Sequence, residues 1–238
     1  MNKIGIIGGV TWISTAVYYK LINQKINQKL GGYNTAEILI NSVNFNDVMT
    51  FLNKGDWNEI EDLFIKRAIE LKKSGAEFLA ISSNTIAKVA QNVAKEAQLP
   101  LVDIIKTTSE EIKNKKIKRV GFLGTGFTMK SDFYFNQLKD YEIETVIPNS
   151  NEIEIISDII TKELANHIIT NKSKNMMLQI MERMMKEKRI EGVILGCTEI
   201  PLLINQDHTD IPLFDTTEIH TNSIVDFALK NSFKEIID

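Results

Sequence analysis

The sequence predicts an α/β protein of two pseudo-symmetric halves, each a parallel sheet flanked by helices in the flavodoxin-like or Rossmann-like manner, with a site in the cleft between them. Three observations predict it. Short apolar runs rich in Ile, Val, Leu and Phe alternate with amphipathic stretches along the chain. Three strand-and-turn segments recur in the same order about halfway along. The 238 residues, 43% of them hydrophobic, can bury one large core or two small ones.

Taken in order, residues 3–7, 37–40, 77–81, 101–104, Arg119–Leu123, 144–147, Gly192–Leu195 and 211–214 read as strands. They are short and rich in Ile, Val, Leu and Phe, as strands are when helices cover both faces of a parallel sheet. Trp57–Lys73 carries Ile60, Phe64, Ala68 and Leu71 at helical spacing, with Gly75 as its stop. Residues 151–168 and 173–188 are further helices. In the latter, Met177, Ile180, Met181 and Met184 share one face, which marks a core or an interface. Strand–helix alternation implies right-handed crossovers.

The repeat is legible residue by residue. Ile4-Gly5-Ile6-Ile7-Gly8-Gly9 is echoed by Val120-Gly121-Phe122-Leu123-Gly124-Thr125. Phe78-Leu79-Ala80-Ile81-Ser82-Ser83-Asn84 is echoed by Gly192-Val193-Ile194-Leu195-Gly196-Cys197-Thr198, and Pro100-Leu101-Val102-Asp103 by Pro212-Leu213-Phe214-Asp215. Val120 stands 116 residues after Ile4, Cys197 114 after Ser83, and Pro212 112 after Pro100. One match of this length arises by chance; three in one order argue for duplication. The expected division is residues 1–98 with 212–238 as the first domain and 99–211 as the second.

Several functions are excluded early. A net charge of -3 and a pI near 5.8 do not suit a basic nucleic-acid-binding surface. No apolar run approaches the roughly 18–20 residues that span a bilayer. The opening Met1-Asn2-Lys3-Ile4-Gly5 begins a strand rather than a secretory signal, so a cytoplasmic protein is expected. One cysteine rules out an internal disulfide framework and a cysteine-rich metal site. His167, His208 and His220 lack metal-ligand spacing, and the first two read as surface residues. Gly5, Gly8 and Gly9 do not form G-x-G-x-x-G, and no P-loop pattern occurs, so neither nucleotide cofactor nor metal is expected. The basic stretch 113–119 reads as a solvated helix end.

Ligands of open parallel sheets bind beyond the carboxyl ends of the strands. Ser83 ends one such strand and Cys197 its counterpart. A lone cysteine is most often a small buried apolar residue. Here Gly196 permits close backbone approach, a helix start is expected after Cys197 to favour thiolate, and the repeat sets a hydroxyl opposite. Groups facing across a cleft suit removal of a proton from one side of a carbon and return on the other. Asn84, Thr85, Thr125 and Thr198, with nearby backbone N–H groups, suit the anion such chemistry needs, although helix capping accounts for the same residue types. Glu199 and His220 lie close enough in sequence to support Cys197; a helix-terminal role for Glu199 and capping or packing for His220 are the alternatives.

These segments resemble the cofactor-independent aspartate/glutamate racemase family. The opening from Ile4 to Thr15, Ser83-Asn84-Thr85, Gly124-Thr125-Gly126-Phe127-Thr128-Met129, Gly196-Cys197-Thr198-Glu199-Ile200 and Pro212-Leu213-Phe214-Asp215-Thr216-Thr217-Glu218-Ile219-His220 carry the resemblance, which extends to about Leu229. It implies a dimer and two opposed catalytic groups acting on the amino acid's α-carbon without pyridoxal phosphate. Cys197 corresponds to the second cysteine of the family. Ser83 stands where the first is usual, as a hydroxyl does in the branch specific for L-aspartate and L-glutamate. By the same correspondence Val10, Gly126 and Thr128 join Asn84, Thr85, Thr125 and Thr198 as substrate-binding residues.

Departures from the pattern are Val10 for methionine, Ile13 for glutamate, Ala87 for histidine and Gly126 for arginine. Lys130 and Lys162 are candidates for the missing cation, or ordinary solvated helix residues. The reading is racemisation of L-aspartate or L-glutamate with Cys197 as main acid/base and Ser83 as the weaker group. Its partner is a small acidic amino acid, with no nucleic acid and no membrane. A single-cysteine decarboxylase or isomerase, and a non-catalytic amino-acid-binding protein, are the alternatives.

Overall fold

A computed structural model of the chain describes residues 1–230. The chain divides into two compact units, Met1–Ile104 together with the chain from His220, and Ile105–Ile219. The final eight residues of the expected first domain, 231–238, lie outside the described residues.

The first unit runs β1 (Ile4–Gly8), α1 (Trp12–Leu30), β2 (Ile38–Ser42), α2 (Phe45–Lys54), α3 (Trp57–Lys73), β3 (Phe78–Ile81) and α4 (Ala87–Ala97). Its strands are parallel in the order β2-β1-β3, with Ile4 opposite both Ile38 and Phe78. Successive strand side chains point to opposite faces, so each apolar run feeds two cores. Ile7, Leu79 and Ile81 pack with Phe64 and Ala68 of α3 and Val93 of α4; Ile4, Ile6, Phe78 and Ala80 pack with Tyr18, Ile22 and Ile26 of α1. Helix α3 matches its expected bounds. Asp56 caps it by accepting from the Glu59 N–H, and Gly75 follows the C-cap at φ +97.

The second unit comprises α5 (Ile104–Asn114), β4 (Arg119–Leu123), α6 (Gly126–Met129), α7 (Asp132–Lys139), β5 (Glu144–Val146), α8 (Ser150–Asp158), α9 (Asn171–Lys188), β6 (Gly192–Leu195) and β7 (Leu213–Asp215). Helix α10 (Thr216–Leu229) starts there and continues into the first unit, whereas α5 has only its first residue, Ile104, in the first unit. The strands are parallel in the order β5-β4-β6-β7. Met177, Ile180, Met181 and Met184 of α9 are buried, as the periodicity requires.

The duplication is visible in connectivity. In both sheets the first strand of the unit is central, the second lies to one side and the third to the other. The β7 position outside β6 is matched in the first unit by a parallel bridge from Leu79 to Leu101.

Three expectations need correction. The strand at 101–104 shrinks to the Leu101 bridge: the Val102 carbonyl accepts from a histidine ring, Gln91 donates to Asp103, and Ile104 already starts α5. The segment 211–214, expected in the first domain, supplies a strand to the second sheet. Phe214 pairs with Ile194, Asp215 pairs with Leu195, and the Thr216 hydroxyl donates to the Leu195 carbonyl, which moves the division to Ile219/His220. The helix expected over 151–168 ends at Asp158 and continues as a π turn (Ile159–Glu163) and a 3-10 turn (Leu164–Asn166), stopped by His167 at φ 58. Among the described residues no helix is long and apolar enough to cross a membrane.

Candidate active site

Each unit gathers its candidate residues at the carboxyl ends of two neighbouring strands. In the first unit these are β1 and β3. Gly9, at φ +96, turns the chain after β1 where a Cβ would stand 2.2 Å from the Val43 carbonyl oxygen, so only glycine fits. Its N–H donates to Thr15 Oγ1 at 2.8 Å, and half-buried Val10 follows. After β3 come Ser83 and Asn84, 6% and 5% exposed, then the half-buried Thr85. Ser83 Oγ accepts the Ile86 N–H at 3.4 Å, a long bond that leaves most of the hydroxyl's capacity uncommitted to the turn. Ile86 offers no side-chain cap to α4.

In the second unit the strands are β4 and β6. Thr125 caps α6, accepting from the Thr128 N–H at 3.3 Å, and the two threonine hydroxyls share a 3.0 Å hydrogen bond. The Gly126 N–H donates to Ser157 Oγ at 3.3 Å. The Gly196 N–H donates to the Leu123 carbonyl at 2.7 Å, locking the end of β6 onto β4. A Cβ at Gly196 would stand 2.2 Å from Phe122 Cζ, and one at Gly124 2.9 Å from Phe122 Cε1. Both turns therefore rest on one buried ring.

Cys197 emerges from that turn half-buried. Its Sγ donates to Glu199 Oε2 at 2.9 Å, and Thr198 Oγ1 donates to the same oxygen at 2.8 Å. Glu199 is 4% exposed. Burial pushes the thiol well above its usual ionisation range, and the Glu199 carboxylate adds to this by charge and by accepting from the thiol; backbone donors at Glu199 and Thr198 oppose it. The expectation that a following helix favours thiolate is therefore reversed. The chain after Glu199 forms only a three-residue 3-10 turn, Ile200–Leu202, with Pro201 in its first positions. A turn that short aligns too few peptide dipoles to offset an adjacent carboxylate.

His220 is fully buried in the first unit. Its Nδ1 accepts from the Tyr18 hydroxyl and its Nε2 donates to the Val102 carbonyl, each at 2.9 Å. Burial holds its pKa down to about 4, so the ring is neutral, and both nitrogens are engaged by partners of its own unit. These contacts give the ring a packing role within the first unit. His167 and His208 are exposed. Of the two candidate cations, Lys130 is exposed and Lys162 pairs with Asp158 at 2.9 Å, both as solvated helix-end residues.

The structure thus brings together Val10, Ser83, Asn84 and Thr85 in one unit, and Thr125, Gly126, Thr128, Cys197, Thr198 and Glu199 in the other. Phe122 escaped the sequence reading. Its signal is the pair of glycines, Gly124 and Gly196, at equivalent strand ends. The chemistry on offer is a thiol backed by a carboxylate in one unit and a hydroxyl with neighbouring amide and hydroxyl groups in the other.

Known proteins share this architecture. The family model described as Asp/Glu/hydantoin racemase matches residues 7–224. A solved structure from Yersinia pestis, provisionally named an Asp/Glu racemase, is 37% identical with a TM-score of 0.90, covering 96% of this chain and 100% of that one. An aspartate racemase homologue from Pyrococcus horikoshii OT3 is 38% identical with a TM-score of 0.86, covering 96% and 99%. A glutamate racemase from Aquifex pyrophilus is 26% identical over 178 residues, 70% of this chain; the match spans 66% of that relative's own length.

Proposed function

This chain belongs to the Asp/Glu/hydantoin racemase family, and from that premise we propose that it racemises L-aspartate or L-glutamate without a cofactor. The observation that carries the reading is a thiol with its own buried carboxylate partner at the end of β6, with the hydroxyl of Ser83 at the corresponding end of β3. The family supports amino-acid racemisation in general; the acidic substrate and the roles below are our assignment.

Cys197 removes the α-proton of the L-enantiomer and Ser83, or water that it holds, returns one to the other face. Loss of the proton leaves an electron pair that spreads into the α-carboxylate, so donors must meet growing negative charge there. Asn84, Thr85 and Thr125 supply hydroxyl and amide groups for this, with the Thr198 backbone, since the Thr198 hydroxyl already donates to Glu199. Val10, Gly126 and Thr128 shape the remainder of the site. Serine is a far weaker acid than cysteine, so the Ser83 side limits turnover. Both enantiomers have equal free energy, so any one-way behaviour comes from saturation, inactivation or a different reaction and not from equilibrium.

Incubating the protein with L-aspartate and, separately, L-glutamate, then resolving the enantiomers, tests this directly. Accumulation of the D-form of either, undiminished by a carbonyl reagent that disables pyridoxal phosphate, is the expected result. Carbon dioxide release from the substrate, or binding with no D-form, would assign the chain to the decarboxylase or amino-acid-binder alternatives.

A further inference from the structure

We infer that Glu199 is the proton store of Cys197: its Oε2 takes the thiol proton across their 2.9 Å contact as the sulfur becomes the base. This rests on the racemase reading but is tested separately from it.

The geometry is specific. Oε2 receives two donors at once, Cys197 Sγ and Thr198 Oγ1, and the carboxyl group is nearly fully buried. The Thr198 hydroxyl fixes that oxygen toward the sulfur, while the glycine before Cys197 pins the turn against Phe122. The charged neighbour on the adjacent strand, Asp215 at the end of β7, turns its Oδ1 to the N–H groups of Thr217 and Glu218. Among the described residues, Glu199 is the charged group that acts on the thiol.

Charge conservation favours the transfer. If the thiol lost its proton to water, a thiolate and a carboxylate would stand side by side in a partly dry site, and burial together with like charge resists that. Passing the proton to Oε2 makes the thiolate while the pair keeps its single negative charge. The α C–H bond then breaks, its proton goes to Sγ, and its electron pair enters the α-carboxylate. A proton reaches the opposite face from the Ser83 side. The pair, now one proton richer, releases it to water, and the Ser83 side is refilled from water, so atoms and charge balance.

The chain's single cysteine makes the test clean. Thiolate absorbance near 240 nm is followed against pH in the free protein, with Cys197→Ser as blank, for the natural chain and for Glu199→Gln. The variant, close in shape, is expected to show roughly tenfold or more thiolate at a given pH, a pKa fall of at least about one unit. Coincident titrations would overturn the proposal. The S–H stretch of the natural protein, isolated by the same blank, needs no variant. A band lowered by a strong acceptor is expected, and one at the free-thiol position would overturn it. In turnover, kcat/KM for the L-substrate should be flat through the neutral range in the natural protein and rise with the thiol's own titration in Glu199→Gln. A variant profile that stays flat and is only scaled down would mean a structural role. Absence of any turnover would remove the racemase reading while the absorbance and vibrational results still decide the pair.

Discussion

Cys197 Sγ donates to Glu199 Oε2 at 2.9 Å, two residues on in the same turn, and this contact adds to the burial that keeps the chain's one thiol protonated. The resting group is a thiol, not a thiolate, because burial and the neighbouring carboxylate both disfavour the anion.

Replacing Cys197 with serine should abolish α-proton chemistry while sparing the fold. Serine is smaller by little and keeps the hydrogen bond to Glu199. General acid–base catalysis is worth about a hundred- to ten-thousandfold, so a loss of that size is expected in the rate of D-form production. Unchanged activity would remove the sulfur from the mechanism.

Ser83→Cys should act in the opposite direction. The hydroxyl's bond to the Ile86 N–H is long, 3.4 Å, so exchanging oxygen for sulfur gives up little structure. A thiol is a far stronger acid, and turnover should rise on the order of tenfold or more if the second face is limiting. A rate equal to that of the natural protein would place the limit elsewhere.

Gly196→Ala should damage both stability and the site. The added methyl would stand 2.2 Å from Phe122 Cζ, and that ring cannot swing away because Tyr134 and Phe135 pack on it at 4.6 and 5.9 Å between centroids. Overpacking of this kind costs about 1–3 kcal/mol, measurable as a lower denaturant midpoint, with the displaced Cys197 losing activity as well.

His220 should write an acid limb into stability. Its pKa falls from 6.5 to about 4 on folding, so the unfolded chain takes up a proton first. The stabilisation is complete above the unfolded value of 6.5 and is lost progressively as pH drops from there through 4, by an upper bound of about 3 kcal/mol. Urea midpoints measured across that window should slope for the natural protein. The slope should flatten in His220→Phe, whatever that variant's absolute stability.

Much of this was legible in the sequence. Trp57–Lys73, Arg119–Leu123 and Gly192–Leu195 match their expected bounds, because apolar period and turn residues coincide there. The repeat foretold two sheets of like connectivity. What escaped was long-range. The Leu101 segment is as apolar as a strand, yet the His220 ring, 118 residues away, takes the Val102 carbonyl. The 211–214 strand was legible, but the sheet it joins depends on the pairing of Asp215 with Leu195. At the site, Cys197 and Glu199 were both identified. Spacing did not show that their side chains meet, so the direction of the thiol's ionisation was misread.

The central claim, that a sulfur and a hydroxyl serve the two faces of one α-carbon, is tested most directly by a single-turnover reaction with protiated L-aspartate and L-glutamate in deuterated water, reading label and chirality together. The account predicts that the D-product carries deuterium at the α-carbon from the first turnover. Deuterium appearing only in recovered L-substrate, or in neither enantiomer, would contradict it.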